Sequence, residues 1–463
     1  MGKRIMGSVW LGGWLLLSLA GCIDSSAPVD GGFGREPRLP APQLSLLPRV
    51  NIAPAIGWDG GGRPIAADGW LVTAFATGLE HPRWLYALPN GDILVAETNA
   101  PERPQDATGI RGWIMTKVMQ RAGAGVPSAN RITLLRDTNG DGKADLHSTF
   151  AEGLNSPFGM YLKDDAFYVA NTDALLRFRY QPDMLRVTEP AAVVARLPAG
   201  PINHHWTKNV IGAADGSALY VTVGSNSNAA ENGIAAERNR AAILRIDPVS
   251  GASQVFASGL RNPNGLAWQP KSGALWTTVN ERDELGDNLV PDYMTSVQQG
   301  GFYGWPYSYF GQHLDERVQP QRPDLVAKAL VPDYALGAHT ASLGLHFYRG
   351  DLLPARYRNG AFVGQHGSWN RKQLSGYKVI FVPFVDGEPV GLPEDILTGF
   401  ITPDGEAKGR PVGVIEAGDG AILVADDVGN VIWRVEPPPA SRIGPAAERR
   451  GSNGDLRAPD LHR

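Results

Sequence analysis

SGLRNPNGLAWQPKSGALWTTVNERDELGDNLVPDYMTSVQQGGFYGWPYSY, residues 258–309, carries the reading of the fold. It opens on the turn Arg261-Asn262-Pro263-Asn264-Gly265. Two short apolar segments follow, residues 266–268 and 274–279, parted by Pro270-Lys271-Ser272-Gly273. Apolar runs this short, bounded by glycine and proline, are strands of a hairpin and need partners on both sides. The acidic loop that comes next, residues 281–292, is too polar to be buried without a purpose and must lie at a surface or line a site. The stretch closes on Gly304-Trp305-Pro306.

Outward from this stretch the same unit recurs. His81-Pro82 leads to LYALPNGDILVAET, and Asn155-Ser156-Pro157 leads to GMYLKDDAFYVANT. His204 leads to VIGAADGSALYVTVGS, Thr340 to LGLHFYRGDLLPARYRNGAFVGQHGS, and Gly409-Arg410-Pro411 to VGVIEAGDGAILVADD. Each unit is a strand, a turn with Asp or Gly, and a second strand that ends in polar residues. Third strands follow at 242–247, 377–383 and 431–435. Six such units predict an all-β, six-bladed β-propeller. The competing fold, a β-sandwich, has no reason to repeat a Gly-Leu-x-x-Pro lead before its strands. In a propeller the first strand of each unit starts at the central channel. His81, Asn155, His204, Arg261, the segment near His339 and Arg410 are therefore expected to meet at one mouth.

The bulk numbers agree with a large soluble core. Of 463 residues 43% are hydrophobic and 19% charged, and the net charge of −4 lacks the basic excess that nucleic-acid binding needs. The single cysteine, Cys22, excludes an intrachain disulfide. Lys3 and Arg4 precede an apolar run, and Leu19-Ala20-Gly21 precede Cys22, the pattern of a bacterial lipoprotein signal in which the cysteine is lipidated. The run is short for a membrane span of ~20 residues. The expected domains are a signal at 1–22, a Pro/Gly-rich tether at 23–69, the propeller at 70–436 and a disordered tail at 437–463. A lipid anchor on the periplasmic face of a membrane follows from that signal. Within the insertion at 100–130, residues 114–120 are expected to form a short helix.

Several residues are candidates for chemistry. His204 and His205 offer a general base near neutral pH or, as a pair, metal ligands, although no second ligand pair at helical spacing accompanies them. Arg261, Arg371 and Arg410, with Lys372 and Lys408 beside the last two, suit a small polyanion if they converge. The 281–292 loop offers oxygens for calcium. Asp137, Asn139, Asp141 and Asp145, with Gly142 at the sixth position, match the start of a calcium loop. Ser148 stands where the closing glutamate belongs, so the alternatives are a structural calcium site and a tight Asp/Gly turn. No Gly-x-Gly-x-x-Gly after a strand, phosphate-binding loop or Gly-x-Ser-x-Gly is present, which leaves nicotinamide, flavin and nucleotide readings without support.

GLRNPNGLAW, NERDELGDNLVPDY, GGFYGWPYSY, NHHWTKNVIGAADGSALYVTVGS and GSWNR together resemble the pyrroloquinoline-quinone-dependent sugar dehydrogenases. The likeness is closer to sorbosone and pyranose dehydrogenases than to soluble glucose dehydrogenase, and covers nearly all of residues 70–436. It implies a six-bladed propeller with pyrroloquinoline quinone (PQQ) and calcium at the mouth, and a sugar as substrate. A membrane quinone or cytochrome would be the electron acceptor. The ungapped match back from VIGAADG puts the family's base at His204 rather than His205, with Asn203 beside it where the family often has aspartate. Arg261 and Asn262 match residues beside the quinone, Arg371 and Arg410 match cations on its carboxylates, and Asp283 and Glu284 match the pair whose backbone carbonyls hold calcium. Soluble glucose dehydrogenase has Gly-Pro at that pair and Arg-x-Arg where this chain has Arg410-Pro411-Val412. Two other classes fit a propeller: a metal-dependent lactonase, and a non-catalytic glycan- or protein-binding module.

Overall fold

The computed structural model describes residues 29–43, 50–102 and 125–438. The signal and Cys22, the 114–120 helix and the tail beyond 438 lie outside the described residues.

Six antiparallel sheets form a ring. The innermost strands are Pro82–Ala87, Met160–Lys163, Val210–Gly212, Asn262–Trp268, Ser342–Phe347 and Pro411–Glu416, and each lies against its ring neighbours. All six begin just after a sequence-predicted lead. The chain is thus an all-β, six-bladed propeller. Its second strands, such as Ile93–Glu97, Ala361–Gln365 and Ile422–Asp426, are buried at every position. A strand with a blade on either face has no solvent side, so alternation gives way to continuous apolar runs.

The core is a set of wedges between blades. Trp84 and Phe158 sit 4.7 Å apart and Phe150 and Phe167 5.5 Å apart between blades one and two. Trp276, Phe347 and Phe384 fill the gap between blades four and five. The ring closes through blade six, where Leu71–Thr77 pairs with Val431–Glu436, register Leu71↔Glu436 to Thr77↔Val431. Closure by both ends of the domain ties ring formation to long-range pairing and leaves no open blade edge at the join.

The expected tether at 23–69 needs correction. Phe33–Gly34 adds a fifth strand to blade four and Ile65–Ala66 a fifth strand to blade five. Between them the chain runs over loops at the mouth. Gln43 N donates to Leu285 O, Asn51 N to Trp369 O and Ile56 N to Ala407 O, at 2.8 Å each. Proline and glycine here mark a segment that follows the surface of other strands, where backbone bonds replace a hydrophobic pattern. Among the described residues no helix is long and apolar enough to cross a membrane.

Candidate active site

Antiparallel pairing puts the start of each first strand and the end of each second strand at the same end of the propeller. The mouth is built from both sets. Gly224 and Ser225, after the second strand of blade three, lie between His205 and the Arg261–Asn262 turn of blade four. Ser225 N donates to Arg261 O at 2.7 Å. A Cβ at Gly224 would meet both Asn262 Oδ1 and the His205 Cβ at 2.4 Å, so only glycine allows this approach.

His205 is held from behind. Its Nδ1 lies 2.9 Å from Ser225 O and 3.0 Å from Ser225 Oγ. A carbonyl only accepts, so Nδ1 carries the proton and Nε2 carries the lone pair. Burial first, and Arg261 second, lower the imidazole well below its ordinary range and keep it neutral. Lys208 is wholly buried and anchors the same loop, with Nζ 3.3 Å from His205 O and 3.1 Å from Trp206 O. Asn203 does not face a ligand as expected. Its Nδ2 donates to Thr172 Oγ1 at 2.8 Å and its Oδ1 accepts from Arg240 at 3.1 Å, so it is a loop anchor with both polar atoms engaged. The structure therefore places His205, the neighbour of the sequence-preferred His204, beside Arg261 and Asn262.

Arg261 is 5% exposed and densely bound. Nη2 pairs with Asp283 Oδ2 at 2.8 Å and Nη1 donates to Glu281 O at 2.6 Å. Asn228 accepts from Nε at its backbone oxygen and from Nη2 at Oδ1. Asp283 Oδ1 accepts from Asn370 Nδ2 at 2.6 Å and lies 3.4 Å from His339 Nδ1. Burial alone would raise the Asp283 carboxyl, but Arg261 and His339 outweigh it and hold the group far below the usual carboxylate range. Burial likewise opposes charge on His339, and Asp283 more than offsets it, so His339 is raised. The Asp283 side chain is thus the anionic centre of this side of the mouth, a role the sequence reading gave only to its carbonyl. That carbonyl accepts from Asn228 Nδ2 at 3.2 Å, and Glu284 pairs with Arg317 at 3.0 Å.

The other cations also converge. Arg371 donates to Asn288 Oδ1 at 3.0 Å and Ala338 O at 3.3 Å. Arg410 lies 4.8 Å over the Tyr377 ring and donates to Ala53 O and His366 O, both at 3.3 Å. Lys408 Nζ stands 6.0 Å over the Trp58 ring, and Lys372 O accepts from Asn51 Nδ2. The N-terminal segment therefore holds the Arg371 and Arg410 loops in place. Arg83, Arg371 and Arg410 each keep a buried Nε–H without a protein partner, and Asn262 Oδ1 is buried without a donor. Unpaired buried donors on three guanidinium groups call for an anion.

The Asp137 loop joins Arg131–Arg136 to Leu146–Ala151 in blade one. Its oxygens serve its own backbone: Asp137 accepts from Gly140 and Gly142 N at 2.8 Å, Asn139 from Asp141 N and Asp141 from Lys143 N at 2.9 Å, and Asp145 from Thr138. These bonds shape a tight Asp/Gly turn, and a calcium loop uses the same ones. Among the described residues no group of three or more His, Cys, Asp or Glu side chains is arranged around a metal position.

A Glucose / Sorbosone dehydrogenase family model matches residues 79–378. The chain belongs to the glucose/sorbosone dehydrogenase family. A second model, TrAA12-like, matches residues 322–437. An uncharacterized protein of Borreliella burgdorferi is 30% identical over 297 residues, spanning 62% of this chain and 77% of that one. The aldose sugar dehydrogenase YliI of Escherichia coli is 25% identical over 200 residues, 40% of this chain and 52% of that protein. Among solved structures, the holo PQQ domain of Coprinopsis cinerea pyranose dehydrogenase superposes with TM-score 0.64 at 20% identity, covering 82% of this chain and all of that one. The PQQ-bound aldose sugar dehydrogenase of Streptomyces coelicolor gives 0.51 at 17% identity, covering 81% and 99%. At such identities the structures share the propeller fold. In this glucose/sorbosone dehydrogenase family member, sequence reasoning missed Asn228, Lys208, Asn370, His366 and Asp427. Asn228, Asn370, His366 and Asp427 share a signal, the polar ends of the second strands and the loops beyond them, whereas Lys208 lies just before the first strand Val210–Gly212.

Proposed function

We propose that this protein is a PQQ-dependent sugar dehydrogenase that uses His205 as its general base. The observation that carries the proposal is the placement of an imidazole with an open Nε2 against Asn262 and Arg261, at a mouth where three arginines retain unpaired buried N–H groups. PQQ is planar and bears three carboxylates, and Arg83, Arg371 and Arg410 are the residues that would hold them. When bound, it supplies a two-electron acceptor for a carbon-bound hydrogen of the sugar. His205 Nε2 takes the hydroxyl proton, a contribution of about 10²–10⁴-fold in such reactions. Ser225 O keeps the Nδ1–H in place as the ring becomes cationic, and Asp283 offsets the charge of Arg261 that opposes this step. Asn262 and Arg261 orient the substrate side of the mouth. The carboxylates of Asp283 and Glu284 are engaged by Arg261 and Arg317, which leaves these side chains poorly placed to ligate calcium. Calcium at the two backbone carbonyls remains an implication of the resemblance.

Purified protein given PQQ and calcium should reduce a redox dye with members of an aldose panel. H205Q should lose activity by at least a hundredfold while still binding PQQ by absorbance titration, and H204Q should lose far less. The reverse order would return the base to His204. Lactone hydrolysis without quinone-dependent dye reduction would replace this reading with the lactonase. Lipidation of Cys22, on this proposal, holds the propeller at the periplasmic face of a membrane, near a quinone or cytochrome acceptor. C22A should then move the protein from the membrane to the soluble fraction, and unchanged fractionation would refute the anchor.

A further inference from the structure

A second constellation occupies the same mouth, on the side formed by blades one, five and six. Asp427, after the second strand of blade six, has a fully buried side chain. Its Oδ2 accepts from Arg83 Nη1 at 2.7 Å and from His366 Nε2 at 2.8 Å, and His81 Nε2 lies 3.5 Å away. His366 follows the second strand of blade five, and its backbone oxygen accepts from Arg410. Burial would raise the Asp427 carboxyl, but the surrounding His366, His81 and Arg83 outweigh it and keep it ionised. Burial, with Arg410 and Arg83 alongside, pushes His366 down to about 4, so its ring is neutral at pH 7.

A neutral imidazole bonded to a carboxylate through Nε2 must donate there, which leaves the lone pair on Nδ1. The side chain of His366 is 21% exposed although its Nε2 edge faces the buried carboxylate. Nδ1 is not among the buried atoms lacking a partner, and among the described residues no hydrogen bond to it is made, so it is the ring's remaining acceptor on a partly exposed side chain. His205 is arranged in the same way with the nitrogens exchanged: Nδ1 fixed from behind, Nε2 open. The mouth thus presents two imidazole acceptors, each with its tautomer locked by the protein. The oxidation uses one of them.

We propose that His366, oriented by Asp427, accepts a hydrogen bond at Nδ1 from a second hydroxyl of the substrate, so that the site selects polyhydroxylated substrates over simple alcohols. This rests on the dehydrogenase reading above and deepens it. His366 is the specificity-determining group, and Asp427 is a positioning residue that acts through it. A site built to hydrogen-bond a substrate hydroxyl rejects analogues that lack it, because once the bound sugar has excluded water the acceptor is left unpaired.

The test compares the best aldose of the panel with its monodeoxy analogues, using PQQ-loaded protein and dye reduction. Wild type should prefer the aldose over one of these analogues by at least tenfold in kcat/KM, and H366F should discriminate between the same two by less than twofold. A merely structural role would lower both substrates equally, and that result overturns the proposal. D427A should raise KM for the aldose at least tenfold with a smaller change in kcat, because His366 loses the acceptor that holds its proton on Nε2. Long-range ¹⁵N–¹H spectra of the protein without cofactor should show His366 as the Nε2–H tautomer in wild type and as a mixture of both tautomers in D427A. An Nδ1–H wild-type ring overturns the proposal whatever the activity. Wild-type protein that reduces no dye with any aldose overturns the parent reading and this one together, whereas active wild type with unchanged discrimination in H366F overturns this one alone.

Discussion

Replacing Asp283 with asparagine removes one negative charge beneath Arg261 and almost nothing else. Arg261 stays 5% exposed, with Glu281 O and Asn228 still accepting from it, but its ion-pair partner Asp283 is gone. Unit charges about 4 Å apart at an effective dielectric near 20 attract by about 4 kcal/mol. Breaking a buried pair by removing one partner costs about 3–5 kcal/mol. The remaining neutral acceptors place this case at the low end, about 3 kcal/mol. Asparagine adds a second conflict. With its oxygen toward Arg261, its amide faces the Asn370 Nδ2 donor that now sits 2.6 Å from Oδ1. Urea unfolding followed by tryptophan fluorescence at pH 7 should show the loss as a lower midpoint with an unchanged slope. The pH dependence has a fixed sign. A carboxylate held below its ordinary value contributes stability that is full above about pH 4 and declines as pH falls toward the folded value. The gap between wild type and D283N should therefore narrow below about pH 4. A gap under about 1 kcal/mol at pH 7, or one that widens with acid, refutes the assignment of Asp283 as counter-charge to Arg261.

Three further outcomes are expected. G224A drives a methyl to 2.4 Å from both Asn262 Oδ1 and His205 Cβ, so it should cost about 1–3 kcal/mol and at least tenfold in dye reduction; a fully active variant would show that the two residues do not meet there. K208M keeps the buried stem but strips two donors from His205 O and Trp206 O, which should lower stability by about 1–3 kcal/mol in thermal or urea unfolding, and no loss would remove Lys208 as the anchor of the loop. Deleting residues 1–57 removes the bonds to Trp369 O and Ala407 and the acceptor at Ala53 O for Arg410, so PQQ affinity by absorbance titration should fall; unchanged affinity would mean that the segment does not hold the mouth loops.

Sequence periodicity by itself determined the ring of blades. Hairpin units, three of them led by Gly-Leu-x-x-Pro, with strands too short to stand alone, have few ways to bury both faces, and a closed ring of stacked blades satisfies all six units. It also determined which residues meet, because antiparallel strands return their ends to one side. His81, Arg261 and Arg410 were legible for that reason.

The division of labour within the mouth was decided only by tertiary structure. His204 and His205 are adjacent, and nothing in their spacing says where either ring points; the close approach of Gly224 and the Ser225 carbonyl place His205 beside Asn262. Asp283 reads as one acid in an acidic loop, yet its side chain is aimed at Arg261 by Asn370, which is 87 residues away. The N-terminal segment looked like a tether because its bonds are made by backbone atoms, which carry no residue-type signal. Patterns along a chain record which faces avoid water. The direction of a lone pair or the partner of a charge depends on atoms that only folding brings together.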